Sequence, residues 1–306
     1  NYNSNFWSHE RAVSVAEADE YDRSFLKLSP DIAVISSMDP DHLDIYGTPE
    51  NLQDAFVAFT GRIKPGGYLI YKYGLPRTTE FRVSDAVSYH VTDPAADVHA
   101  ENIRVVDGNY CYNVQLKDAR IENVVLPMGG RHNIENSVAA IAVAQKLGID
   151  DERIKAALLD FRGVRRRFEY ALKTPDRVLI DDYAHHPEEL RALIQGAREM
   201  YPDRRCVIVF QPHLFSRTHD LADGFADVLS TADEIWLLPI YPARELPMPG
   251  VSSAMIAERM TNQQVRLLEK TDLVTEMSKR NPDLLLMAGA GDIDTLVEPV
   301  KQALTR

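Results

Sequence analysis

Cysteine is scarce in this chain, with only Cys111 and Cys206 among 306 residues. Each lies inside a strand-like run of apolar residues, and no C-x-x-C spacing joins them. Small secreted domains that depend on disulfides use many more cysteines, so that class is excluded. We therefore expect a reduced, cytoplasmic protein.

Long apolar runs are absent as well. No stretch approaches the roughly 18 residues that a membrane-spanning helix requires. The polar start of the chain, residues 1–5, lacks the basic and apolar segments of a signal peptide. The sequence also has no initiator methionine, and we expect it to be a piece of a longer protein.

Acidic residues outnumber basic ones: 46 Asp and Glu and 34 Lys and Arg give a net charge of -12. This balance opposes general attraction to nucleic acid or to an anionic membrane surface. We expect small-molecule partners, and a phosphate-bearing ligand would need local cations or a metal. With 45% hydrophobic and 26% charged residues, the chain is long enough for two domain cores.

The C-terminal half alternates short apolar runs with segments that are apolar on one helical face. This alternation predicts a parallel sheet with right-handed crossovers, a Rossmann-like domain of about five or six strands. The predicted strands are residues 177–181, 206–210, 234–240, 264–268 and 283–288.

The N-terminal half begins in the same way and then changes character. Strands are predicted at 13–16, 31–38 and 67–73, with a helix at 49–63. Short β-rich runs separated by turn residues then predict a small antiparallel set, at 87–91, 99–106, 110–116 and 120–126. Helices follow at 134–147 and 152–161. The fold class is thus α/β, with domains at 1–164 and 165–306.

Polar side chains follow two of the strands in the C-terminal half. Residues 181–187 and 210–218 each lie between an apolar run and a helix-like one. Ligands of open α/β sheets bind beyond the carboxyl ends of the strands, so these segments predict an active site. His213 and Arg217, at i and i+4, could bind a carboxylate or stabilise developing negative charge. The alternative is that the histidines are helix caps or core residues.

Glu17 and His42 each follow a predicted strand, which would bring them to one rim. A carboxylate beside a neutral imidazole suits a divalent ion. The alternative is a solvated acidic loop at Glu17 and a turn or cap residue at His42.

Two further segments offer polar groups to a ligand. Asn133 and Asn136 lie on one face of a predicted helix, and their carboxamides could bind an adenine edge or simply cap the helix. The run 165–167 is three arginines, whose guanidinium groups match phosphate oxygens, although such a run is often a solvated turn.

Six blocks in a fixed order resemble the Mur ligases of peptidoglycan synthesis. They extend from residue 17 to 218, and the family has a similar glycine-rich turn at 289–292, so the resemblance covers nearly the whole chain. The blocks are residues 17–22, 39–44, 130–136, 163–168, 181–187 and 210–218. The resemblance implies a central ATPase domain, with a mixed sheet and a small antiparallel sheet, followed by a Rossmann-like ligase domain.

The resemblance also implies roles for individual residues, with ATP and Mg²⁺ as cofactors. The implied Mg²⁺ ligands are Glu17 and His42. The implied nucleotide-binding residues are His132, Asn133, Asn136, Arg167 and Asp182. At the amino-acid and muramyl end of the site, the implied residues are Tyr183, His185, His213 and Arg217, and of these the catalytic residues are His185, His213 and Arg217.

The implied reaction is ATP-dependent amide formation between the lactyl carboxylate of UDP-N-acetylmuramate and the amine of L-alanine, through an acyl phosphate. Three alternatives stay open. A related ligase acts on recycled murein tripeptide. A metal-dependent phosphoesterase could use Asp39, Asp41, His42 and Asp44 with His185 and His186. A non-catalytic module would bind ATP without Mg²⁺ dependence. The sequence leaves the oligomeric state open.

The chain departs from the family in three places. No G-x-x-x-x-G-K-[ST] phosphate loop occurs, so we expect a C-terminal portion that does not turn over alone. Residues 54–59 contain no lysine of the kind that several relatives carbamoylate. Leu214 stands where many relatives have arginine.

Overall fold

The computed structural model of the protein describes residues 13–40 and 42–305. These form two compact units, each built around a six-stranded sheet. The first unit comprises residues up to 104, 111–126 and 132–160, and the second comprises 105–110, 127–131 and 161–306. The expected α/β fold with two sheets is confirmed.

The first sheet contains six strands in chain order, from β1 to β6. The strands are β1 Ile32–Ile35, β2 Tyr68–Lys72, β3 Ala86–His90, β4 Val98–Val106, β5 Asn109–Gln115 and β6 Arg120–Leu126. The helices are α1 Leu43–Tyr46, α2 Pro49–Thr60, α3 Arg131–Lys146 and α4 Asp151–Asp160, with 3-10 turns at Ser24–Lys27 and Thr78–Glu80.

The expectation of a separate antiparallel set was wrong in part. β3 pairs parallel with both β2 and β4, so a single continuous sheet forms. Only β4, β5 and β6 are joined by turns tight enough to require antiparallel neighbours. An alternating apolar pattern predicts a strand but carries no information on the direction of its partner.

The strand predicted at 13–16 was also wrong. Residues 13–20 have no regular structure, and the side chain of Val15 is 95% exposed. Alternating valines do not form a strand without a partner edge and a core to cover. The apolar side chains that pack beneath the sheet come from elsewhere, namely Phe25, Ile35, Leu52, Phe59 and Leu69.

The second sheet has the order β11-β10-β9-β12-β8-β7. Its strands are β7 Glu169–Lys173, β8 Val178–Asp182, β9 Cys206–Phe210, β10 Glu234–Leu237, β11 Val265–Leu267 and β12 Leu284–Ala288. Its helices are α5 Pro187–Met200, α6 Phe215–Asp220, α7 Ala222–Leu229, α8 Ser253–Ala257, α9 Lys270–Arg280 and α10 Val297–Leu304, with a 3-10 turn at Asp292–Leu296.

All neighbours in this sheet are parallel except β7, which pairs antiparallel with β8. The predicted parallel strands are confirmed, and β7 was missed. It is an edge strand interrupted by a bulge between Tyr170 and Leu172, and every residue but Lys173 is only half-buried. Half-buried edge strands lack the continuous apolar run that marks a central parallel strand.

The start of α5 shows how the sequence places a helix at a strand end. His186 is the N-cap, Pro187 is the first helical residue, and Glu189 accepts the backbone N–H of His186 at 3.1 Å. This capping box satisfies amide groups that the helix itself leaves without partners. The chain therefore turns sharply between β8 and α5.

No helix within residues 13–40 and 42–305 has the length and apolar character needed to cross a bilayer. Both cysteines are free thiols, and burial raises the pKa of the Cys206 thiol to about 12.

Shortening a side chain in a central strand tests which residues form the core of the second unit. Leu286 lies in β12 and is 0% exposed, whereas Leu267 lies in the edge strand β11 and is 53% exposed. We expect Leu286→Ala to lower the free energy of unfolding by about 2–5 kcal/mol, and Leu267→Ala by less than about 1 kcal/mol. Urea unfolding followed by fluorescence measures both, and equal losses would contradict the assigned burial.

Candidate functional site

Three strands of the second sheet end at the same level. Asp182 of β8 and Phe210 of β9 are both in register with Ala288 of β12. The two polar segments predicted from sequence are therefore not on adjacent strands, because β12 lies between them. The turn after β12, from Gly289 to Asp292, lies in the middle. We call the ends of β8, β12 and β9, together with the turns that follow them, the rim.

His185 lies just beyond the end of β8. Its Nδ1 is 2.9 Å from the carbonyl oxygen of Tyr183 and 3.3 Å from Oε2 of Glu189. Its ring meets that of Tyr183 edge to face at a centroid distance of 5.3 Å, and that of His213 at 6.1 Å. The structure thus brings together three side chains that the sequence assigned to one site.

His213 lies beyond the end of β9, and Arg217 lies one turn into α6. The Nδ1 of His213 is 3.5 Å from a terminal nitrogen of Arg217. Burial, then the Arg217 guanidinium, then His185 lower the pKa of His213, and Glu245 opposes them. The lowered pKa favours the neutral form of the His213 imidazole beside the Arg217 cation.

Asp182 has two backbone partners in the structure. One carboxylate oxygen accepts the N–H of Phe168 at 2.7 Å, and the other accepts the N–H of Ala184 at 2.8 Å. Burial raises its pKa, and these two hydrogen bonds oppose the rise. The carboxylate therefore fixes the turn before β7 to the end of β8, whatever ligand its remaining lone pairs accept.

The arginines of the 165–167 run differ in their surroundings. Arg166 is held by the carbonyl oxygens of Gly289 and Gly291, and its Nε is 3.6 Å from a carboxylate oxygen of Asp181. Arg167 is exposed, with its guanidinium carbon 6.0 Å from the ring centroid of Tyr183. Arg166 thus holds the rim together, while Arg167 faces solvent.

In the first unit, a carboxylate oxygen of Glu20 lies beside His42. The Nε2 of His42 is 3.5 Å from Oε1 of Glu20, and Tyr21 packs edge to face against the ring at 5.1 Å. Glu17 is exposed to solvent. Within the described ranges, no three His, Cys, Asp or Glu side chains form a metal-holding group. Asp41, part of the phosphoesterase alternative, lies outside those ranges.

The amide and imidazole groups predicted to contact a nucleotide lie on the first turns of α3. His132 and Asn136 are exposed and Asn133 is half-buried. Between them, Glu135 accepts a hydrogen bond of 2.9 Å from the ammonium group of Lys72 at the end of β2. Ile134 and Val138 bury the opposite face of the helix. The helix start therefore presents polar groups to solvent.

Sequence reasoning missed several residues of the second-unit rim. Gln211 is 0% exposed and its carboxamide joins the turn after β9 to Asp292 and to the N–H of Ile293. Tyr241 stacks on His213. Glu245 accepts hydrogen bonds from Ser216 at the start of α6. The only signal for Gln211 was its position directly after an apolar strand; Tyr241 and Glu245 lie in a proline-rich loop without periodicity.

Ligands of parallel α/β enzymes bind at strand ends, and here the strand ends gather imidazoles, carboxylates and a guanidinium group. Two family models match the chain. The Mur ligase middle domain matches residues 9–144, and the Mur ligase, glutamate ligase domain matches residues 166–291. The chain belongs to the Mur ligase family.

Curated relatives match almost the whole chain. A protein of Parabacteroides distasonis is 47% identical over 100% of this chain and 66% of its own length, and one of Porphyromonas gingivalis is 46% identical over 99% and 67%. A relative from Flavobacterium johnsoniae is 43% identical over 99% and 66%. Each is named UDP-N-acetylmuramate--L-alanine ligase. The chain spans about two thirds of the length of these relatives.

Solved structures agree with this assignment. The UDP-N-acetylmuramate-alanine ligase of Thermotoga maritima has a TM-score of 0.76 at 26% identity, covering 94% of this chain and 63% of its own. A folylpolyglutamate synthase from the same organism has a TM-score of 0.66 at 16% identity, covering 92% of this chain and 62% of its own, which shows a shared fold.

Asp181 supplies a test of the electrostatics at the rim. It is 5% exposed, and burial raises its pKa to about 6 although Arg166 opposes the rise. The native state therefore holds this proton more tightly than the unfolded chain. The resulting stabilisation is complete below about pH 4 and is lost as the pH rises through 6.

We expect Asp181→Asn to become more stable relative to the parent as the pH rises from 4 to 7, by about 2 kcal/mol. Urea unfolding at both pH values measures the difference. Asp203→Asn, at an exposed position in the loop before β9, is the matched control. A difference that stays constant with pH for Asp181→Asn would show that the carboxyl group is not perturbed.

Proposed function

We propose that this chain forms the ATP-handling and acceptor-binding portion of a ligase that joins L-alanine to the lactyl carboxylate of UDP-N-acetylmuramate. The observation that carries the proposal is the 41–47% identity, over nearly the whole chain, to proteins named for that activity. The reaction belongs to peptidoglycan precursor synthesis. Because the chain spans about two thirds of those relatives, we assign the activity to a longer protein that contains it.

The rim of the second unit has the chemistry that an amino-acid acceptor requires. The carboxylate of L-alanine needs a cation, and Arg217 provides one beside His213. The amine must lose a proton before it can attack, and a neutral imidazole can take that proton. We assign Arg217 to the carboxylate and His213 to the proton, with Tyr183 and His185 contacting the muramyl end of the acyl donor.

The nucleotide is assigned to a second group of residues. The carboxamides of Asn133 and Asn136 and the ring of His132 offer donors and acceptors to the base. Arg167 is exposed and can approach the phosphates, and Asp182 retains lone pairs for the ribose hydroxyls. We place the ATP-binding domain at residues 1–164 and the ligase domain at residues 165–306.

We assign Mg²⁺ to Glu17 and His42 of the first unit. This ion prefers oxygen ligands and keeps several waters, so one or two protein ligands with nucleotide phosphates complete its shell. Glu17 is exposed and could supply a carboxylate oxygen, and Nε2 of His42 lies 3.5 Å from Oε1 of Glu20. Mg²⁺ would offset the repulsion between a carboxylate and a triphosphate.

The proposed chemistry has two steps. A carboxylate oxygen of the acyl donor attacks the γ-phosphorus of ATP, and ADP leaves. The amine of L-alanine then attacks the acyl carbon, its proton passes to His213, and inorganic phosphate leaves with the electron pair of the carbon–oxygen bond. Arg217 keeps the amino acid in place for the second step, which raises the effective concentration of the amine.

A reconstructed enzyme tests this proposal directly. The first third of the Parabacteroides distasonis relative, fused before this chain, gives a protein of about that relative's length. With ATP, Mg²⁺ and UDP-N-acetylmuramate, we expect the chimaera to consume L-alanine and release phosphate, and to act far more slowly on a murein tripeptide. The 306-residue chain alone should yield no product, since it contains no phosphate-loop motif. Preference for the tripeptide would support the recycling ligase instead.

Arg217 is the most specific residue to test. In the chimaera, we expect Arg217→Met to raise the KM for L-alanine by about 100-fold, because a charge-assisted contact to the amino-acid carboxylate is lost. Arg191→Met is the control, as Arg191 is paired with Glu188 on the surface of α5. An unchanged KM for L-alanine in Arg217→Met would remove this residue from the acceptor site.

A further inference from the structure

The backbone of His213 is fixed by a residue in a distant loop. The N–H of Leu214 donates to the carbonyl oxygen of Tyr241 at 2.9 Å, and the N–H of Tyr241 donates to that of Pro212 at 2.8 Å. These two bonds form an isolated parallel bridge between His213 and Tyr241. Both are main-chain bonds, so they do not depend on the side chain at position 241.

The side chains of the same two residues are stacked. The ring planes of His213 and Tyr241 are inclined by 15°, with centroids 5.7 Å apart, which is an offset stack. His185 approaches the His213 ring at 71°, with a centroid distance of 6.1 Å. The His213 ring is therefore stacked on the Tyr241 ring and meets the His185 ring edge to face.

Gly291 makes room for the tyrosine ring. A Cβ atom at this position would lie 2.6 Å from both Cβ and Cγ of Tyr241, and 2.5 Å from the side-chain oxygen of Gln211. The φ of Gly291 is -86°, which any residue can adopt. The glycine is therefore required for space and not for backbone conformation.

Lys270, which is paired with Asp292, lies near the ring of Tyr241. The Nζ of Lys270 lies 5.9 Å from the centroid of Tyr241 and 2.6 Å from a carboxylate oxygen of Asp292. The same oxygen accepts the side-chain N–H of Gln211 at 2.9 Å. These two bonds join the start of α9 and the turn after β9 to the turn after β12, with the Lys270 ammonium near the Tyr241 ring.

We propose that Tyr241 is a positioning residue whose ring, seated against Gly291, fixes the plane of the His213 imidazole toward Arg217 and His185. Its importance for amide formation rests on the proposed function, because His213 acts there on the acceptor. The placement of the imidazole by Tyr241 is a property of this chain and can be measured without turnover.

Loss of the tyrosine ring changes the electrostatics of His213 in a defined direction. The charged and titratable groups that face it are Arg217 on α6, His185 before α5, Glu245 in the loop after β10, and Lys270 beyond the tyrosine. Burial is the largest cause of the lowered pKa of His213. Removing the aromatic cover admits water, so the pKa rises toward the ordinary value.

The experiment follows the imidazole C–H resonances of the 306-residue chain by NMR between pH 4.5 and 8.5. His213→Gln identifies the resonance of His213. Tyr241→Leu removes the ring, and Gly291→Ala pushes it away while leaving the tyrosine in the sequence. Tyr241→Phe keeps the stacked ring and loses only the hydroxyl, which makes it the matched control.

We expect Tyr241→Phe to retain the ring-current shift and the titration midpoint of His213. In Tyr241→Leu and in Gly291→Ala, the ring-current shift should be lost and the midpoint should rise by about half a pH unit or more. Thermal unfolding identifies which variants are folded. A result from either Tyr241→Leu or Gly291→Ala, if that variant is folded, is enough to test the positioning role of Tyr241. A His213 resonance and midpoint identical to the parent in a folded variant would overturn the proposal.

Kinetics of the chimaera separate this inference from the proposed function. If the variants shift the titration midpoint of His213 and also raise the KM for L-alanine more than they lower kcat, both the proposed function and the positioning role of Tyr241 are supported. If the chimaera makes no product while the titration moves as expected, the proposed function fails and the placement by Tyr241 holds.

Discussion

The parallel register of β8, β12 and β9 is the constraint on which the rim of the second unit depends. Asp182, Ala288 and Phe210 lie in one row, so three chain segments leave the sheet at one level. Each then turns at once, because the next helix begins within a few residues. This register brings side chains that are distant in sequence to one edge of the sheet, where the contacts of Arg166 and Asp182 hold the turns together.

Close packing of these turns explains which residue types occur there. Gly289 has a φ of 149°, and a Cβ atom would lie 2.7 Å from the carbonyl oxygen of Gln211. Arg166 binds the carbonyl oxygens of the same turn, and the buried carboxamide of Gln211 binds the backbone beyond it. The backbone of the turn after β12 is thus bound by long polar side chains from the loop before β7 and the turn after β9.

Much of this arrangement could be predicted from the sequence. Continuous apolar runs identified β8, β9 and β12, because this signal is local. β7 and the direction of β3 were not predictable, since half-buried edges and strand orientation depend on distant partners. Tyr241 was missed for the same reason, as its partner His213 is remote in sequence and nothing local marks a stacked ring.

We propose that this chain helps a carboxylate to become an acyl phosphate before L-alanine attacks it. The most direct measurement supplies the chimaera with UDP-N-acetylmuramate carrying ¹⁸O in both oxygens of its lactyl carboxylate and follows the label by mass spectrometry. We expect one labelled oxygen per amide formed to be transferred to inorganic phosphate. Label recovered in AMP, or phosphate released without label, would contradict the proposal.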